Sequence, residues 1–219
     1  MKKATVTLAA AFLAVILAAS LFSCGKKYED AEIISAAREL IERSEEINRI
    51  YFGDGIPLAD EEDYAELYPW LAPPAPSEDG EDDLTYYMVK PDCGYSSTED
   101  IKKATLSVFT EDYSEILFAN AFSGVTVVVG EGDQAERQLV SLARYIDSEE
   151  GYLAARILSE EEKLPLGRVY GLDKTTVVSQ RGTEAKIKVP STSPDGEEEE
   201  IELTLKMTAD GWRLDTPTY

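Results

Sequence analysis

AKIKVPSTSPDGEEEEIELTLKMTADGWRLDTPTY (185–219) closes the chain and decides the fold class. Lys186 and Lys188 flank Ile187, and Glu202, Thr204 and Lys206 alternate with Leu203, Leu205 and Met207. A period of two with one apolar face is the mark of antiparallel strands that are wet on one side. The Asp-Gly pair within Ala209–Gly211 is a tight-turn signal, so the last two runs form a hairpin. Gln180–Thr183, centred on Gly182, is a second such turn. Upstream, VTVVV, LVSLARYI, YLAARIL, RVYGL and TTVVSQ are further β-rich runs separated by turn clusters.

The first half has a different period. From Asp30 to Tyr51 the apolar positions Ile33, Ile34, Ala37, Leu40, Ile41, Ile47 and Ile50 recur in steps of three and four, which predicts an amphipathic helix of about six turns. The glycines and proline of FGDGIP end it. Residues 58–83 are an acidic, proline-rich insertion, in which Tyr64, Leu67, Tyr68, Trp70 and Leu71 are expected to form a short helix and lid. Leu84–Val89 reads as a strand. Ser97 with Asp100 makes an approximate capping box for a helix running to about Phe109, and Thr110 caps the next one. Helices followed by an antiparallel meander define an α+β class, with the helices covering the inner face of a curved sheet. Residues 30–219 are expected to form one domain.

The N-terminus points to location. Lys2 and Lys3 precede an apolar run from Leu8 to Phe22 that is shorter than the roughly 20 residues a membrane span needs. Leu21-Phe22-Ser23-Cys24 resembles the lipobox of bacterial lipoproteins. That resemblance implies a signal peptide over 1–23, acyl (palmitate-type) modification of Cys24, a lipidated tether over 24–29 and an extracytoplasmic, membrane-anchored body. Cys93 would then stand alone, whereas an unmodified Cys24 would leave a Cys24–Cys93 bridge open. Without histidine beside it, Cys93 is not expected to act as a nucleophile.

Lys2 and Lys3 are the only charges before Cys24, so the formal −22 of the whole chain becomes −24 over residues 24–219. Nucleic-acid binding needs a basic footprint and is excluded on this balance. Electrostatic adhesion to anionic lipid is disfavoured as well. The complete lack of histidine removes Ser-His-Asp and Cys-His catalysis and the usual zinc sites. No cofactor or metal is expected. SEDGEDD and PDGEEEE are rich in oxygen donors but miss the spacing of a calcium loop. Gly130-x-Gly132-x-x-Ala135 after VTVVV has the outline of a dinucleotide fingerprint, but Glu131 and Asp133 would repel a pyrophosphate, so a hairpin or loop is expected. Carboxylate acid–base chemistry stays open, with no pair standing out among the 43 acids. Tyr86, Tyr87, Tyr113, Tyr145 and Trp212 are candidates for lining a cavity that receives a ligand or a partner.

RIYFGDGIP (49–57), YYMV (86–89) ahead of STEDIKKATLSVFTEDYSEILF (97–118), ARYIDSEEGYL (143–153) and DGWRLDTPTY (210–219) occur in this order. Together they resemble bacterial extracytoplasmic proteins of the cell-wall DL-endopeptidase inhibitor family, with an NTF2-like cone fold. The resemblance implies a non-catalytic module that binds a protein partner such as a wall hydrolase. NTF2-like relatives also include small-molecule isomerases and dehydratases, so a pocket enzyme using Asp/Glu acid–base chemistry is the competing class. No functional motif aligns, and no functional residue is carried over. Residues 58–83 and GVTVVVGEGDQAE look like insertions.

Overall fold

The computed structural model of the protein describes residues 27–67, 69–70, 85–129 and 136–219. Within them, helices precede a strongly curled antiparallel sheet in a mixed α+β arrangement, the class expected. Helix α1 spans Asp30–Phe52 and buries Ile33, Ala37, Leu40, Ile41, Ile47, Ile50 and Tyr51 along one stripe. That stripe lies against the main sheet. Its strand order is β10 (Gly211–Leu214), β9 (Glu198–Thr208), β8 (Glu184–Thr192) and β6 (Val169–Tyr170), and β7 (Thr176–Arg181) pairs with the first part of β8.

The period-two reading places the faces correctly. Ala185, Ile187, Val189, Leu203, Leu205 and Leu214 are fully or almost fully buried. Full burial of a side chain the size of Ile187 contributes about 1.5–3 kcal/mol. On the opposite face Lys186 meets Glu202 at 3.0 Å and Lys188 meets Glu200 at 2.8 Å. These exposed cross-strand pairs hold register more than stability, each being worth about 0–1 kcal/mol. Both turns fall where expected: Arg181 pairs with Glu184 around Gly182–Thr183, and Thr208 pairs with Gly211 around Ala209–Asp210.

A second sheet joins β1 (Tyr86–Met88), β5 (Leu153–Arg156) and β4 (Tyr145–Asp147). Helices α3 (Thr98–Leu106) and α4 (Glu111–Ser123) pack beside it. Ser97 accepts from the Asp100 amide and Thr110 from that of Tyr113, so both predicted caps form. Helix α3 stops short of the expected Phe109. Its following backbone is claimed by β10, with Thr110 N–H donating to Leu214 (2.8 Å) and Leu214 N–H to Val108 (2.9 Å).

LVSLARYI, expected as one run, is two strands. β3 (Glu136–Ser141) pairs with β2 (Val125–Val129) in a separate antiparallel ribbon, and β4 starts at Tyr145. Residues between them leave the ladder because their polar groups are taken elsewhere. The Arg144 amide donates to Ala121 at the end of α4 (2.8 Å), and the Tyr86 hydroxyl donates to the Ala143 carbonyl. A strand where the dinucleotide fingerprint requires a helix agrees with the hairpin reading; its glycines lie outside the described residues.

In the acidic insertion, α2 (Glu61–Leu67) forms, and Tyr64 is its anchor, 3 % exposed and accepting from the Met88 amide. Leu67 and Trp70 are exposed instead of folding onto the body. Tyr68, Leu71 and residues 73–83 lie outside the described residues, as do Leu84, the signal segment and Cys24.

Candidate functional site

The site begins with the glycines that end α1. Gly53 lies so close to Leu166 that a Cβ would stand 2.8 Å from its Cδ1. Gly55 has φ +83°, and a Cβ there would meet Arg144 Nη2 at 2.6 Å and the Tyr145 hydroxyl at 2.9 Å. Only a residue without a side chain, tolerant of left-handed backbone, fits that place. The turn therefore closes directly over Arg144.

Arg144 is 4 % exposed. Its Nη2 donates to the Gly53 carbonyl at 2.7 Å, and its guanidinium lies 5.4 Å from the centroid of the Tyr145 ring. Nε and Nη1 are buried and have no hydrogen-bond partner among the described residues. Burial, in the first place, lowers its pKa, with repulsion from Arg156 acting in the same direction. A guanidinium still stays charged at any ordinary pH. A buried cation with open donors is expensive, and native proteins seldom leave such groups without a reason.

The neighbouring cation is paired with an acid. Arg156 donates to both carboxylate oxygens of Glu162, at 2.9 and 2.6 Å, and the Ser159 amide also donates to Glu162 at 2.9 Å. Those bonds, led by the one from Arg156, hold the Glu162 pKa down at about 2. Glu162 is thus ionised and fully engaged, a poor general acid or base.

Arg144, Arg156 and Glu162 share a pocket of about 410 Å³ with Tyr51, Phe52, Leu117 and Leu158. Two guanidiniums face one carboxylate among its walls, and the rest of the lining is mainly apolar. Across the end of α1 lies a larger groove of about 560 Å³, reached by Lys163, Arg168 and Tyr170. Two of its cations are paired: Lys163 with Asp54 (2.9 Å) and Glu160 (2.8 Å), and Arg168 with Glu199. Tyr170 and Asn48 clamp Thr218 there, at 2.5 and 2.9 Å.

The five candidate aromatics do not share one cavity. Tyr145 is fully buried, and its hydroxyl donates to the Ile50 carbonyl at 2.8 Å. Tyr86 fixes the carbonyl of Ala143. These two flank and position Arg144. Tyr87 lies in β1 opposite Ala155, and Tyr113 packs on Phe109 at 4.9 Å. Trp212 belongs to the main core, with its ring edge on Tyr28 at 4.9 Å. Cys93 is a free thiol in a 3₁₀ turn, 3.5 Å from the Tyr95 carbonyl.

Sequence reasoning missed Arg144 because burial is not visible in an arginine codon. The available signals were the paired glycines of FGDGIP and the polar break inside LVSLARYI. Among the described residues no group of three or more His, Cys, Asp or Glu side chains is arranged to hold a metal, and no helix is long and apolar enough to cross a membrane. No family model matches the chain, and no curated protein matches it in sequence.

Proposed function

We propose that this chain is a bacterial lipoprotein, anchored through Cys24 on the extracytoplasmic face of the cell membrane, whose body is a non-catalytic binding module. In this reading the curled sheet with its covering helices is an NTF2-like cone. The partner is an envelope protein or ligand, and a cell-wall hydrolase is the specific protein partner proposed. The anchor rests on the charge, core length and cysteine position of residues 1–24.

The observation that favours binding over turnover is the state of the Arg144 pocket. Its one acidic wall residue, Glu162, is locked in a two-pronged pair with Arg156, and its spare donors belong to a guanidinium that cannot exchange protons. Such a site recognises anions and lacks a group poised for proton transfer.

Cell fractionation tests the anchor: Cys24→Ala should release the chain from membranes, and retention would refute lipid attachment. Affinity capture on the intact chain, with purified wall hydrolases as prey, tests the partner. Turnover of a small substrate without any capture would instead favour the enzyme class.

A further inference from the structure

We infer that the Arg144 pocket binds a small monoanion carrying one carboxylate on an apolar body. The carboxylate takes the open donors of Arg144, and the body lies on Tyr51, Phe52, Leu117, Leu142 and Leu158. This assignment rests on the binding-module reading and adds the chemistry of the ligand.

Four observations converge on it. Arg144 is 4 % exposed and its guanidinium bonds only the Gly53 carbonyl among the described residues, so its Nε and Nη1 are desolvated donors that a ligand reaches once the side chains covering them shift. Glu162, the one acid among these walls, does not serve them: its oxygens accept from Arg156 and from the Ser159 amide. Two cations and one anion leave the walls one positive charge in excess, which matches a carboxylate and not the roughly −1.5 to −2 of a phosphate monoester. A volume of about 410 Å³ with mainly apolar walls suits a small organic body. The acidic exterior adds selectivity, since a body of formal charge −24 repels polyanions before they reach an interior cation.

The guanidinium is also held in place. Gly53 supplies the carbonyl that orients Arg144, Gly55 leaves room for its Nη2, and Tyr145 underlies it. A donor held in place before binding loses little freedom when the ligand arrives.

The same chemistry has two natural sources, an acyl-chain acid and the carboxylate of a peptide-derived amino acid. Calorimetric titration of the full chain in nanodiscs of zwitterionic lipid distinguishes them, with octanoate and N-acetyl-leucine as probes. Octanamide and N-acetyl-leucinamide are the uncharged controls. At least one acid should bind at least about tenfold more tightly than its amide, as expected when a charged hydrogen bond is lost. Arg144→Gln should weaken that acid by about the same factor and leave the amide unaffected. The acid that binds identifies the source.

Equal binding of acid and amide, no heat from either acid, or unchanged affinity in Arg144→Gln would overturn the assignment. If Arg144→Gln does not fold, Leu158→Trp, which narrows the pocket from its loop wall, replaces it. Loss of acid binding at an unchanged melting temperature supports the site, and retained binding overturns it. An anchored chain that captures a partner but binds neither acid loses this inference alone. A chain that binds an acid and converts it loses only the non-catalytic reading.

Discussion

Gly55 stands against Arg144 so closely that a single added carbon would lie 2.6 Å from the guanidinium Nη2. The turn after α1 and the buried cation are therefore one structural unit: the backbone can close only because the side chain is missing. Gly55→Ala should destabilise the protein by about 2–4 kcal/mol, combining left-handed backbone strain with overpacking. Gly182 is the internal control. It has φ +61° but open space around its Cα, so Gly182→Ala carries the strain without the collision and should cost only about 1 kcal/mol. Urea titrations with equal m-values measure both. Equal losses would show that Arg144 yields freely and that its seat is not rigid.

The Arg156–Glu162 pair gives a pH signature. Glu162 has a folded pKa of about 2 against an ordinary 4.5, so its contribution is fully present above pH 4.5 and disappears as pH falls toward 2. Its side chain is 36 % exposed, and solvent screening reduces the contribution to about 1–2 kcal/mol. Glu162→Gln should accordingly lose that much stability at pH 7, and the gap to the unaltered protein should close between pH 4.5 and 2. A gap that stays constant over this range would assign the loss to packing rather than to charge.

How much was legible in the sequence depended on whether a residue's neighbours were local. The β8–β9–β10 meander was readable because its faces follow from alternation at Ile187, Leu203 and Leu205, and its turns from Gly182 and Asp210-Gly211. The caps at Ser97 and Thr110 act within three residues and were readable for the same reason. The break at Leu142–Arg144 was not, since it is set by Ala121 and Tyr86, which are distant in sequence. Aromatic character marked Tyr86 and Tyr145 as candidates. Only their hydrogen bonds assign them to holding the segment around Arg144, and no periodicity encodes a cation placed inside a shell of acids.

Tyr145 offers the sharpest test of that internal scaffold. Its ring is fully buried, its hydroxyl donates to Ile50 (2.8 Å), and a Cβ at Gly55 would stand 2.9 Å from the same oxygen, so one oxygen lies against both sides of the turn that ends α1. Burial pushes the phenol pKa up to about 12, which keeps the donor proton in place across the physiological range. Tyr145→Phe keeps the ring under Arg144 and removes only this oxygen, leaving the Ile50 carbonyl without it. A buried backbone carbonyl that loses its partner should cost about 1–3 kcal/mol. Hydrogen exchange should speed up at the Gly53 and Gly55 amides, which cap the helix on Arg49, more than at the β8–β9 ladder. If acceleration were uniform over the whole protein, the hydroxyl would contribute to global stability without acting as the local clasp of the turn. If it is confined to the turn, the same variant should also weaken carboxylate binding, because the Gly53 carbonyl that orients Arg144 moves with it.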